Sequence, residues 1–152
     1  MKKPTRQKIS HFEEPTQSPG FNFWQASTKW RRQVETALAT LTLTHPQFVL
    51  LANLNWLTLD NTDITQVELA RHCSTDITQT SQVLRSLEQK GFIERLQREG
   101  NARAKFPHLT QKGIQLLEKA IPLVESVDRD FFNKLGDDTE KFTQILKILT
   151  SD

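Results

Sequence analysis

The feature that most restricts how this 152-residue chain can fold is an ordered run of signals between Thr65 and Leu109. Thr65 precedes residues 66–72, with Glu68 at the third helical position, so each side chain can satisfy the other's backbone N–H in a capping box. The spacing predicts a short helix over 66–72, then a tight connection through Cys73, Ser74 and Thr75. Asp76 or Thr75 caps a second, longer helix that runs to Gln89 or Lys90. Gly91 stops it, because glycine takes the left-handed position after a helix at little cost. Two extended segments follow, 92–96 and 104–109, separated by a polar loop containing Gly100 and Asn101, which predicts a hairpin. Pro107 lacks a backbone donor and confines its strand to an edge.

Short helix, turn, helix and hairpin in that order are the layout of a winged helix-turn-helix, in which the helix after the turn enters the DNA major groove. The outward face of that helix decides what it can do. Helical periodicity places Ile77, Thr80, Val83, Leu84 and Leu87 in one arc and Thr78, Gln79, Gln82, Arg85, Ser86 and Gln89 opposite. The outer set holds hydroxyls, amides and an arginine but no carboxylate, the groups that read base edges and phosphates. Taken alone, it is equally a solvated helix face. The hairpin adds Arg98, Arg103 and Lys105 on a projecting loop, 98–105, and an arginine at such a tip suits the negative potential of the minor groove. We therefore expect Thr78, Gln79, Ser81, Gln82 and Arg85 to face the major groove, with Arg98, Arg103 and Lys105 on backbone and minor groove.

Net charge is only +2, so the distribution matters more than the sum. Residues 71–105 carry seven cations against four carboxylates, whereas 118–140 carry three against seven. One lobe suits a polyanion and the other does not. Around the winged helix, residues 1–20 hold Pro4, Pro15, Pro19 and Gly20 among polar groups and are expected to form a mobile arm. Residues 21–43 repeat Phe23, Trp24, Trp30, Val34, Ala37, Leu38 and Leu41 at helical steps. Thr44 and Pro46 then start a helix over 45–58. A long helix from Thr110 toward Gly136 carries Ile114, Leu117, Ile121, Val124, Val127, Phe131 and Leu135, with Pro122 expected to bend or interrupt it. A last helix from Asp137-Asp138 aligns Phe142, Ile145, Leu146 and Leu149. These terminal helices have more apolar surface than one small lobe can cover, which suits an interface shared with a second copy. The expected fold is mainly α, a winged helix-turn-helix with a small β-hairpin plus a helical dimerisation lobe. In it, 21–152 form a single domain, with 45–110 the DNA-binding lobe and 21–44 and 111–152 the dimerisation helices.

Several classes are disfavoured. The longest apolar run, Phe48 to Ala52, falls far short of the roughly 20 residues that cross a bilayer. The basic start, Met1 to Arg6, leads into prolines rather than an apolar core, so it does not read as a secretory signal, and the cytoplasm is expected. The single cysteine, Cys73, excludes an internal disulfide and reads as a small core side chain rather than a redox sensor. His11, His45, His72 and His108 are dispersed and give no metal cluster. No phosphate loop, nucleophile elbow or Cys-x-x-Cys is present, so neither catalysis nor a cofactor is expected.

The residues Thr65-Gln66-Val67-Glu68-Leu69-Ala70-Arg71-His72, the run from Thr80 to Arg95 with its Leu-Glu-x-Lys-Gly, and Leu109-Thr110-Gln111-Lys112-Gly113 resemble the MarR family of bacterial transcriptional regulators. That resemblance spans about residues 21–150 in helix order. It implies a homodimer with interlocked first, fifth and sixth helices, holding two winged helices one DNA turn apart over a pseudo-palindrome, most often as a repressor that a small molecule releases. The family's wing usually carries Asp-x-Arg; here Asn101-Ala102-Arg103 stands in its place, and asparagine lacks the charge-assisted bond that steadies the arginine. Trp24, Trp30, Phe48 and Trp56 are candidates to line an effector pocket for a small aromatic molecule, against the plainer reading that they pack in the core. The rival function is a winged-helix protein-interaction module without DNA binding, for which Asn101 and the modest net charge are the hints. A ligand-binding or enzymatic helical protein is a further rival, favoured by a polar pocket with shifted titratable groups.

Overall fold

The computed structural model describes residue 1 and residues 3–152, the side chains at 101–103 excepted. Helices α1 (Pro19–Ala39), α2 (His45–Leu57), α3 (Gln66–His72) and α4 (Ile77–Gln89) lead into a hairpin of β1 (Ile93–Arg98) and β2 (Asn101–Leu109), then α5 (Gln111–Phe132) and α6 (Thr139–Thr150). Short 3₁₀ turns lie at Pro15–Gln17 and Asn133–Asp138. The hairpin is antiparallel, with Ile93 opposite Leu109 and Gln97 opposite Lys105.

The boundaries follow from capping chemistry. At α3 the Glu68 carboxylate accepts from Thr65 N at 2.6 Å while the Thr65 hydroxyl accepts from Glu68 N at 3.2 Å. At α4 the Asp76 carboxylate accepts from the N–H groups of Thr78 and Gln79 at 2.9 and 3.0 Å. The end of α4 is a Schellman motif: Phe92 N donates to Leu87 O, Gly91 N to Glu88 O, and Gly91 sits at φ +78°. The Thr110 hydroxyl then accepts from Gly113 N and donates to Gly91 O at 2.6 Å, tying the start of α5 to the end of α4. Gly113 is there for space, since a Cβ at that position would overlap the carbonyl of Phe92.

Two apolar clusters sit back to back. Leu50, Leu51, Leu54, Ile64, Leu69, Leu84, Leu87, Ile93 and Leu117 form the core of the winged helix. Val34, Leu38, Leu43, Ala120 and Val124 join α1 to α5, and Phe48 packs against both clusters. The second cluster is the smaller one, because much apolar surface on α1 and α6 meets nothing within one chain. Phe23 and Trp24 are 58% and 64% exposed, and no residue of α6 is buried.

Other departures from the sequence pattern have local causes. α1 starts at Pro19, two residues inside the segment expected to be a mobile arm, because the Ser18 hydroxyl accepts from Phe21 N and proline suits a first helical position. Pro15–Gln17 is also ordered locally, through a capping box with Glu14. The hairpin loop is shorter than 98–105: Arg98 pairs with Asn101 across Glu99-Gly100, with Gly100 at φ +81° and the register shifting between Gln97 and Arg98. α5 runs unbroken through Pro122 and ends at Phe132, short of Gly136, whose φ of +55° marks the kink before α6. Ile77, expected in the core arc, is 46% exposed at the first position of α4 and belongs to neither core cluster.

Candidate nucleic-acid interface

The buried side of α4 sets what its outer side presents. Thr80, Leu84 and Leu87 are fully buried and Val83 is half-buried. Burying a leucine contributes about 1.5–3 kcal/mol, so two of them fix the face that turns inward. Thr80 tolerates the core because its hydroxyl meets Asp76 O and the Thr75 hydroxyl, both at 2.8 Å. Thr78, Gln79, Gln82, Arg85 and Gln89 are consequently exposed, and Ser81 is half-buried beside them. Ser86, assigned to the outer set by periodicity, turns inward instead, where its hydroxyl accepts from Gln47 Nε2 at 3.3 Å.

Two carboxylates border this face, and each is committed. Asp76 occupies the first-turn N–H groups of α4, the place where a helix would otherwise hold a phosphate. Glu88 accepts from Arg95 Nε at 3.1 Å, and Arg95 Nη1 reaches Gln66 Oε1 at 3.5 Å, so that charge is balanced by β1.

The hairpin cations divide sharply. Arg98 does not project: its Nε and Nη2 donate to the Asp63 carboxylate at 2.7 and 2.9 Å, and His108 Nε2 lies 2.7 Å from the same carboxylate. The Arg98 bonds, then that of His108, hold the Asp63 carboxyl at about 2, well below its ordinary 3.8. The segment between α2 and α3 is thereby clamped to both strands. Among the described residues, Arg71, Arg85, Lys90 and Lys105 are exposed cations without a salt bridge. The side chains of Asn101 and Arg103 lie outside the described residues.

The assembled geometry is a helix presenting hydroxyls, amides and an arginine, with a β-hairpin clamped beside it. The MarR family pattern matches residues 43–105. The HTH-type transcriptional regulator YdcH of Bacillus subtilis, itself uncharacterized, is 42% identical over 123 residues, 81% of this chain and 84% of its own. The chain belongs to the MarR family. The MarR-family repressor Rv2887 of Mycobacterium tuberculosis is 30% identical over 134 residues, covering 88% of this chain and 94% of its own. A solved mutant MarR from E. coli, complexed with operator DNA, matches with a TM-score of 0.77 at 25% identity, over 87% of this chain and 93% of that one.

Within this MarR-family fold, the four aromatics expected to share a pocket part company. Trp30 and Phe48 border the α1–α5 cluster, whereas Trp24 lies on an open groove along α1 and Trp56 is 69% exposed at the end of α2. Trp30 Nε1 donates to Asp128 Oδ1 at 2.7 Å, and its ring meets His45 edge-on at 5.2 Å. Burial is the main cause that pushes the His45 pKa down. On its other side Trp30 lines a cavity of about 350 Å³ with Phe23, Ala26, Phe131, Phe132, Phe142 and Leu146. Those phenylalanines read as ordinary helix stripes in the sequence, and only the turn at Asn133–Asp138 brings α6 back to them. The partners of Asp63 and of Gln47 were also missed, since nothing in their local spacing announces a partner so far along the chain.

Cys73 is half-buried with its thiol pushed up by burial, which fits a small packing side chain rather than a reactive thiolate. Among the described residues no cluster of ligands able to hold a metal occurs, and no helix is long and apolar enough to cross a membrane.

Proposed function

We propose that this chain is a homodimeric MarR-family repressor that docks α4 in the major groove of a pseudo-palindromic operator and responds to a small aromatic effector. One observation carries the docking: Thr78, Gln79, Gln82 and Arg85 share an exposed face whose two bordering carboxylates are already bonded, Asp76 to the first-turn N–H groups of α4 and Glu88 to Arg95. Amides and arginine make the bidentate contacts that distinguish adenine and guanine edges. Ser81 borders that face. Lys90, Lys105 and Arg71 supply backbone contacts, with Arg103 as the candidate for the minor groove.

The homologues support this reading. MarR has been solved with operator DNA, and Rv2887 both with DNA and with salicylic acid. The second copy is called for by Phe23, Ile148 and Leu149, apolar side chains that are 58%, 70% and 71% exposed. Exposed apolar side chains of that size on two terminal helices are what an interface would cover. Release follows if an effector has different affinity for dimers of different half-site separation, since only differential binding shifts the population. The role is regulatory rather than enzymatic, and its place is the cytoplasm, with the chromosome.

The test is titration of a labelled duplex, selected from genomic DNA by the protein itself, at several salt concentrations. Each neutralised phosphate contributes a slope of about −0.9 in log affinity against log salt. A steep negative slope is expected. Flat, salt-independent retention, or none at all, would reject the repressor.

A further inference from the structure

We propose that Gln47 is a positioning residue for DNA recognition: its carboxamide ties the first turn of α2 to Ser86 and so fixes the roll of α4 about its own axis. This rests on the repressor reading above and adds to it a residue that never touches DNA.

Gln47 and Thr80 are the buried polar side chains among the described residues, and Gln47 is only 6% exposed. Its amide is used at both ends. Oε1 accepts from Thr44 N at 3.1 Å, closing the capping box of α2, and Nε2 donates to Ser86 Oγ at 3.3 Å. The Thr44 hydroxyl in turn accepts from Gln47 N at 3.2 Å. The side chain is thus held rigidly by its own helix start before it reaches α4.

The physical need for such a tie lies in the nature of the rest of the contact. Leu84 and Leu87 set how deeply α4 sits, but dispersion is non-directional and a leucine stripe tolerates several degrees of rotation. A directional bond from α2 to Ser86 removes that freedom. Ser86 lies next to Arg85 and four residues after Gln82, so a small roll at Ser86 displaces the base-reading groups directly.

The other end of the tie points to the dimerisation side. Leu43, just before the capping box, is buried with Val34, Leu38, Ala120 and Val124. His45, inside the same first turn, meets the ring of Trp30, which is bonded to Asp128 of α5. Residues 43–47 therefore touch α1 and α5 on one side and α4 on the other, which gives a shift between α1 and α5 a route to the recognition helix through Gln47.

The experiment compares the wild type with Gln47→Met, Ser86→Ala and the double variant. Affinity is measured for the duplex that the wild type selects and for a scrambled duplex of equal length. Methionine keeps the volume and removes both polar ends. Each single variant is expected to lower the ratio of selected to scrambled affinity about tenfold, with scrambled binding and its salt slope unchanged. The double variant should lose no more than either single one, because both remove the same bond. If selected and scrambled affinities fall together, or if the losses multiply in the double variant, the positioning role is wrong. Should Gln47→Met unfold, Ser86→Ala alone decides, since Ser86 is half-buried and its loss leaves the capping box intact. A wild type that shows no salt-dependent binding would overturn the repressor reading instead, which keeps the two failures distinct.

Discussion

Arg98 and Lys105 lie on the same hairpin, and their neighbours give them different work. Arg98 is spent on Asp63 in a two-pronged bond, whereas Lys105 is exposed without a salt bridge. The Asp63 clamp has a pH signature. Its carboxyl titrates at about 2 in the folded chain instead of 3.8, so the ionised form is favoured by folding. That contribution is present above 3.8 and is lost as pH falls from there toward 2. Asp63→Asn should therefore show a shallower decline in denaturant midpoint across that interval than the wild type; parallel declines would mean the clamp holds nothing. On the DNA side, Gln82 and Lys105 should separate by kind of contact. Removing a base-reading side chain costs about 1–3 kcal/mol at its own base pair and relaxes preference there, while removing a phosphate contact weakens all sequences and flattens the salt slope by about one. Gln82→Ala is expected to follow the first pattern and Lys105→Ala the second, read from affinities for the selected duplex and its single-base variants.

At the scale of elements, the joint between α4 and α5 is what holds α4 against the wing. Gly91 ends one helix, Thr110 bonds back to Gly91 O, and Gly113 lets α5 press against the Phe92 carbonyl. Lys112 reinforces the joint by donating to Lys90 O at 2.8 Å from above the Phe92 ring. Overfilling such a contact typically costs about 1–3 kcal/mol, so Gly113→Ala should lower stability by that amount in urea unfolding, even though alanine is the better helix former. A stabilised variant would show that the contact yields freely. These elements were legible in the sequence where the signal is local. The α3 capping box, the Gly91 stop and the Thr110 cap all involve residues within a few positions of each other, and all lie where the spacing put them. What could not be read was long-range. Asp63 finds Arg98 and His108, and Gln47 finds Ser86, only because the fold brings distant segments together. Ser86 was misplaced for that reason: periodicity assigns a face but not which neighbour covers it, and Gln47 of α2 lies against Ser86. The four aromatics divide for a similar reason: Trp24 and Trp56 obey helical spacing yet lie outside the core clusters, whereas Trp30 and Phe48 pack against them.

At the scale of the whole molecule, one copy leaves apolar surface on α1 and α6 uncovered. The winged-helix core is closed around Leu51, Leu54, Leu69 and Leu84, all fully buried, whereas α6 buries no residue and α1 leaves Phe23 and Trp24 outside. Ile145, Ile148 and Leu149 line up at helical spacing on α6, 44%, 70% and 71% exposed, against the rule that soluble surfaces keep such stripes covered. In the proposed dimer a second copy covers this stripe, and each winged helix takes one half of the proposed pseudo-palindrome. Joining two modest half-site contacts in a rigid dimer raises affinity by about 10²–10⁴ through effective concentration. Charging the stripe with Ile148→Glu and Leu149→Glu should yield a monomer in sedimentation. Its thermal unfolding and helical circular dichroism should still report an intact winged lobe, since neither side chain belongs to a core cluster. Affinity for the full duplex should then fall to that for a half-site, within the same range of 10²–10⁴-fold, roughly the bivalent gain. A charged variant that remains dimeric would place the interface elsewhere. A monomer that binds the full duplex as tightly as the wild type would show that each lobe recognises DNA alone, with the second copy irrelevant to recognition.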